Sequence, residues 1–395
     1  MSTPPPGFGS GMDPESLRDA PLFRELQRVM AGGGGGPVNW ELARQVGVAT
    51  AADAGPDPEP SDEDREGLAS AVRLAEVWVT SQTGLDAPGR IGEVLAVRRA
   101  TWVADQIEAL RGLVEPAAAR MSGALERSMG DQLGEQAGGF GPLLSQLGPL
   151  LQGSQAGQVL GDLATRAFAG HDVALPREVE ADLTFVVANL SSFERDWSLD
   201  ATELRTSIAL REVVCRLTFS QGWVRPHIVN LVDDFLATMR IDVAGLLERF
   251  GSMDPADPQG LQEALGAAQD DPLFATVLDD EQRLKLARVQ AFAAVAEGYA
   301  AHVSAAAGGD LLGSSWPRVA EALRRYRDGE SLDPVYGRLL GIPVDRAVVA
   351  SGRAFCNAVA AAAGEPGLSG MWAGPDALPS FPELDEPTLW LARSL

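Results

Sequence analysis

The chain has 395 residues, enough for one large domain or two ordinary ones around a substantial core. Hydrophobic residues make up 45% and aromatics only 6%, which predicts a globular chain with close helix-on-helix packing. The formal net charge is -23, from 55 acids against 32 Lys and Arg, a field that repels a phosphate backbone and argues against nucleic acid as a partner.

Lys285 is the only lysine, a bias towards arginine that, with the many Ala and Gly residues, suits a GC-rich bacterial genome. Cys215 and Cys356 both sit in apolar helical patterns and neither has a CxxC partner. That predicts a reducing, cytoplasmic setting without a disulfide framework. The opening MSTPPPGFGSGMDPES has no basic patch followed by an apolar run, so no secretory signal is expected. No apolar stretch reaches about 18 residues without a charge, so no membrane span is expected.

In chain order, residues 1–35 predict a disordered Pro/Gly-rich tail, a short helix at Pro21 to Met30 and a five-glycine joint ending at Gly36. Asn39 is placed to cap a helix beginning at Trp40. An acidic, proline-rich loop covers Gly55 to Asp64. Helical patterns follow at Asp64 to Thr83, Arg90 to Arg111 and Pro116 to Gln132. Gly134 to Gly153 reads as a loop with short helical turns. Gly153, Gly157 and Gly161 then recur every fourth residue, which gives a smooth helix face that a neighbouring backbone can approach closely. Asp162 and Arg166 assign that face to an internal contact, not to a membrane dimer.

Leu183 to Ala188 (LTFVVA) is the best strand candidate. Asp200 can cap the helix after it. Further helices are expected at Arg225 to Met239, Val243 to Phe250, Pro258 to Ala268, Asp279 to Ala307, Trp316 to Arg327, Val335 to Leu340 and Val344 to Ala363. The tail GPDALPSFPELDEP carries too much proline for regular structure. The fold class is mainly α with at most a small sheet. The domain expected over 36–395 has N- and C-terminal lobes meeting near residue 200.

The helix after Asp200 contains IALREVVCRLTF, Ile208 to Phe219. Its outline is that of the zinc-peptidase motif HExxH. Arg211 stands at the first histidine, Glu212 at the general base and Cys215 at the second histidine. Arg211 and Cys215 are four apart and share a helix face, which Glu212 borders. A guanidinium has no lone pair for a metal, whereas a thiolate can bind zinc. The plain structural reading of the same helix is a core face of Leu204, Ile208, Cys215 and Phe219, with a Glu212 to Arg216 helix ion pair. The three histidines, His171, His227 and His302, lie outside motif spacing. No P-loop, GxGxxG after a strand, or GxSxG elbow is present.

Five blocks occur in order: GPVNWELARQ from Gly36, GSQAGQVLGDLATRAFAGHDVALP from Gly153, LREVVCRLTF from Leu210, AEGYAAHV from Ala296 and GPDALPSFPELDEP from Gly374. Together they resemble the actinobacterial zincin-like metallopeptidase family, over most of the chain from Gly36 onwards. That family's motif helix reads REAAH followed by RLF. Arg211, Glu212, Arg216, Leu217 and Phe219 match it, and Cys215 departs from its histidine.

The resemblance implies a large helical zincin-like domain, zinc as cofactor and hydrolysis of a peptide or protein, with Glu212 as base. Ala296-Glu297-Gly298-Tyr299 matches the family's VEGW-like segment. By that analogy Glu297 is the third-ligand candidate beside Cys215, and Arg211 and His302 are candidate pocket residues. The departures predict weak or absent catalysis, or a non-catalytic interaction protein that keeps the fold. They also predict that Arg211 bridges to Glu297 or Glu212 where relatives would hold zinc.

Overall fold

The computed structural model of the protein describes residues 36–85, 92–133, 141–177, 182–239, 278–329 and 334–394. The helices expected at Pro21 to Met30, Val243 to Phe250 and Pro258 to Ala268 lie outside them.

Helix α1, Trp40–Ala52, begins where its cap dictates: the Asn39 side chain accepts from the Leu42 N–H at 3.0 Å. Helix α2, Asp62–Thr83, opens on a Ser61/Asp64 capping box and stops at left-handed Gly84. Strand β1, Val94–Val97, pairs in parallel with β2, Leu183–Val186, in the register Val94 to Leu183 through Val97 to Val186. Between them run α3, Arg99–Leu133, and α4, Gly141–Ala164. A parallel pair needs such a crossover.

After β2 come α5, Val187–Trp197, α6, Ala201–Phe219, and α7, Val224–Ala237. Then follow α8, Asp280–Leu312, α9, Trp316–Gly329, a π-helical turn Pro334–Leu339, and α10, Arg346–Ser369. Two short helices, α11, Phe381–Asp385, and α12, Pro387–Ser394, end the chain. The fold is mainly α with a two-stranded sheet, as composition and pattern predict.

Helices α6 and α8 form the centre. Every residue of α6 from Thr206 to Phe219 is buried, so this stretch has no solvent face. It packs on α2 and α8, and α8 packs in turn on α10 and α7. The α8–α10 crossing is close. A Cβ on Gly352 would lie 2.0 Å from the Ala294 carbonyl oxygen. Likewise the glycine stripe of α4 meets α1, and a Cβ on Gly157 would lie 2.5 Å from the Ala43 carbonyl oxygen. This is the internal contact the spacing predicts.

Four expectations need correction. The helix expected from Arg90 overruns β1: Val94–Val97 is claimed by pairing with the fully buried β2, and that tertiary contact outweighs helix propensity. The two helices expected at Arg90 to Arg111 and Pro116 to Gln132 are one. Pro116 sits exposed on α3 while Leu113, Val114, Ala117, Ala118 and Met121 carry one buried stripe past it. One lost backbone bond on the wet side is outweighed by that burial. The loop expected at Gly134 to Gly153 is helical from Gly141 onwards, and the Pro149 carbonyl accepts from the Asn39 N–H at 2.8 Å.

The C-terminal tail is helical too. Pro375, Pro382 and Pro387 stand at helix starts, where no donor is missed, and Ser380 and Glu383 form a capping box. Buried Trp390 anchors it, donating to the Ala377 carbonyl at 2.8 Å and meeting Phe355 edge to face. One segment, Arg346–Ala373, has the length and apolar composition of a membrane span. Here its apolar residues are mostly alanine and it packs on α8.

Candidate functional site

Asp200 starts α6 by accepting from the Thr202 and Glu203 N–H groups at 2.9 and 3.0 Å. That fixes the register of Arg211, Glu212 and Cys215 three turns on, all within the core. Glu297 comes from the middle of α8 and is buried as well. The segment after α4, residues 165–177, crosses between these helices and brings His171, Asp172 and Ala174 to them.

Two buried pairs result. Arg211 Nη2 lies 2.7 Å from Glu297 Oε2, the bridge predicted from the sequence. The same guanidinium donates to the His171 and Asp172 carbonyls, each at 3.3 Å. The other Glu297 oxygen accepts from the Ala174 N–H at 2.6 Å. Beside it, Glu212 Oε1 accepts from the His171 N–H at 2.7 Å and Oε2 lies 2.9 Å from His171 Nδ1. An ionised carboxylate only accepts, so Nδ1 carries the proton.

Electrostatics follow from burial and these partners. Burial works against the Arg211 charge, but Glu297 outweighs it and holds the guanidinium protonated more firmly than usual. Burial pulls His171 below its ordinary range and so keeps it neutral, with Arg177 and Arg216 adding to the effect against Glu212. For Glu212, burial alone would raise the carboxyl; His171 and Arg177 more than offset it and hold it ionised. Burial pushes the Cys215 thiol up to about 12, so it is a thiol at neutral pH.

The remaining predicted residues divide. Glu212, Cys215, Arg211 and Glu297 come together. His302 does not: it faces α10, with Nδ1 2.7 Å from Asn357 Oδ1 and Nε2 2.8 Å from Glu365 Oε1. Its assignment to the pocket is corrected. About 140° of helix separates it from Glu297, so the two cannot share a face. His227 sits on α7 beside the Trp223 ring, with centroids 5.8 Å apart. Glu212 pairs with His171, and Arg216, four residues on, is buried in the same helix. Sequence reasoning missed His171 and Asp172 as site residues, although the Gly-His-Asp at 170–172 lies within one of the five blocks.

Asp172, Val173 and Glu297 also floor a cavity of about 350 Å³ that opens between α4, α9 and the first turns of α10. Tyr326, Val349 and Ala350 line its walls together with Arg166, Arg327, Arg346 and Arg353.

Residues 38–391 match the zincin-like metallopeptidase family, and the chain belongs to it. The fold is also similar to a crystal structure from Chloroflexus aurantiacus described as a presumed hydrolase with a novel fold. That likeness has a TM-score of 0.63 at 24% identity, covering 90% of this chain and 98% of the other, and it speaks to fold alone. No curated protein matches.

The family implies zinc, and the residues present do not fit it. The first ligand position holds a guanidinium without a lone pair. Both oxygens of Glu297 and both of Glu212 are already accepting. Cys215 is the only thiol or imidazole at the motif positions, and a catalytic zinc asks for about three protein ligands. Among the described residues, no three His, Cys, Asp or Glu side chains converge on a common point.

Proposed function

We propose that this chain is a non-hydrolytic member of the metallopeptidase family, one that uses the fold for binding. The observation that carries this reading is the Arg211–Glu297 ion pair, which stands where a metal would be gripped and is held in place by backbone groups of residues 171–174. A buried pair of this kind is self-sufficient: its charges cancel, its oxygens are satisfied, and nothing remains to polarise a peptide carbonyl. Glu212 would be the base in a hydrolytic relative. Here both of its oxygens are turned to His171, one to the backbone N–H and one to the ring, so it acts as an orienting group for His171.

The test is hydrolysis of a broad mixture of peptides by the full chain with zinc supplied, alongside Glu212→Gln. The expected result is that neither cleaves above the uncatalysed rate. Cleavage by the natural chain that disappears in Glu212→Gln would overturn the proposal.

A further inference from the structure

We propose that the cavity between α4, α9 and α10 binds a small organic anion, a carboxylate or phosphate ester with an apolar body. The inference does not rest on whether the neighbouring centre hydrolyses peptides. It starts from a charge imbalance. In a chain of net charge -23, four arginines line this cavity against three carboxylates.

The carboxylates are already committed. Glu297 is paired with Arg211 from behind and accepts from Ala174. Asp345 caps α10 by accepting from the Val348 N–H at 2.9 Å. Asp172 accepts from the Phe168 and Ala169 N–H groups. Two of the arginines are not committed. Neither Arg327 nor Arg353 has a hydrogen-bond or ion-pair partner among the described residues, and Nε of Arg353 is buried without one. Burial and the Arg211 charge work against the Arg327 guanidinium, Arg353 adds to the repulsion, and Asp172 and Glu297 offset it only from a distance, without a hydrogen bond. Half-buried guanidinium groups whose donors have no hydrogen-bond acceptor are costly, and an oxyanion between them would fill those donors. Their planar donor forks match carboxylate and phosphate geometry.

Shape gives the rest of the ligand. A cavity of about 350 Å³ lies at the lower end of small-molecule sites. Its floor and walls, Leu163, Ala167, Val173, Val349 and the Tyr326 ring, favour an apolar or aromatic body. On α10, Arg346, Val349, Ala350 and Arg353 fall at helical spacing on one face, so a single helix presents both the charges and the apolar wall.

Calorimetric titration of the full chain at constant ionic strength tests this with benzoate, phenyl phosphate and inorganic phosphate as probes. Saturable binding of benzoate or phenyl phosphate is expected, tighter than that of inorganic phosphate; the better of the two identifies the anionic group. Arg327→Gln and Arg353→Gln should each weaken it about tenfold. Arg324→Gln, on α9 but paired with Glu321, should leave it unchanged. Ala350→Trp sits on the exposed rim, where folding is not at stake, and should block binding. No saturable binding of any probe below about 10 mM would overturn the proposal. So would an Ala350→Trp chain that binds as the natural one does.

Discussion

Glu297 separates two groups of arginine chemistry that are built in opposite ways. On one side, Arg211 is matched: one carboxylate oxygen at 2.7 Å and two carbonyls at 3.3 Å take its donors. On the other side, Arg327 and Arg353 face a cavity without such partners among the described residues. The same residue type is a structural strut in the first place and a candidate recognition group in the second. Satisfaction of the donors marks the difference.

The largest effect should come from breaking the matched side. Glu297→Ala strands a buried guanidinium and the Ala174 N–H, and should cost about 3–5 kcal/mol of stability in urea unfolding. Arg211→Met with Glu297→Gln removes both charges together and should recover most of that loss, because an apolar replacement of a buried pair is close to neutral. A double variant as unstable as the single one would remove the distinction between strut and recognition group.

Next in size is the helix crossing that sets the cavity wall. Gly352→Ala drives a methyl into the Ala294 carbonyl and should cost about 1–3 kcal/mol. Because Arg353 adjoins it, the same change should also weaken benzoate binding.

Asp172 borders both groups and gives a pH-dependent test. Burial, opposed by Arg327 and reinforced by Glu212, raises its carboxyl to about 6 in the folded chain. The unfolded value is about 3.9, so the folded state favours the protonated form. Its contribution is therefore fully present below about pH 4 and is lost as pH rises through about 6. Asp172→Asn should thus be more stable than the natural chain above pH 6, by about 1–2 kcal/mol once partial exposure to the cavity is allowed for, and equal to it near pH 3. Thermal melts of both chains across that range read the sign directly. The smallest effect is expected at His302. Its pair with Glu365 is partly exposed, and His302→Ala should change stability by less than about 1 kcal/mol.

Much of the matched side was legible in the sequence. Asn39 and Asp200 announce their helices, because a side-chain acceptor ahead of an apolar stripe is a local signal. The four-residue glycine spacing of α4 announces the contact with α1. Arg211, Glu212 and Glu297 could be set together because a motif and a second block both named them. The strand Val94–Val97 was not legible, since its partner Leu183–Val186 is distant in the chain. The tail from Gly374 was misread because prolines at helix starts look like breakers until the caps are seen. His171 and the cavity arginines were hidden for another reason. They come from α9, α10 and the segment after α4, and no local pattern says that those three converge.

The central claim is that a guanidinium fills the place of the metal. Equilibrium dialysis of the natural chain against zinc in the presence of a weak competing chelator, followed by elemental analysis, tests it most directly. The account predicts no zinc retained above a buffer control; about one zinc per chain, lost on Cys215→Ser or Glu297→Gln, would contradict it.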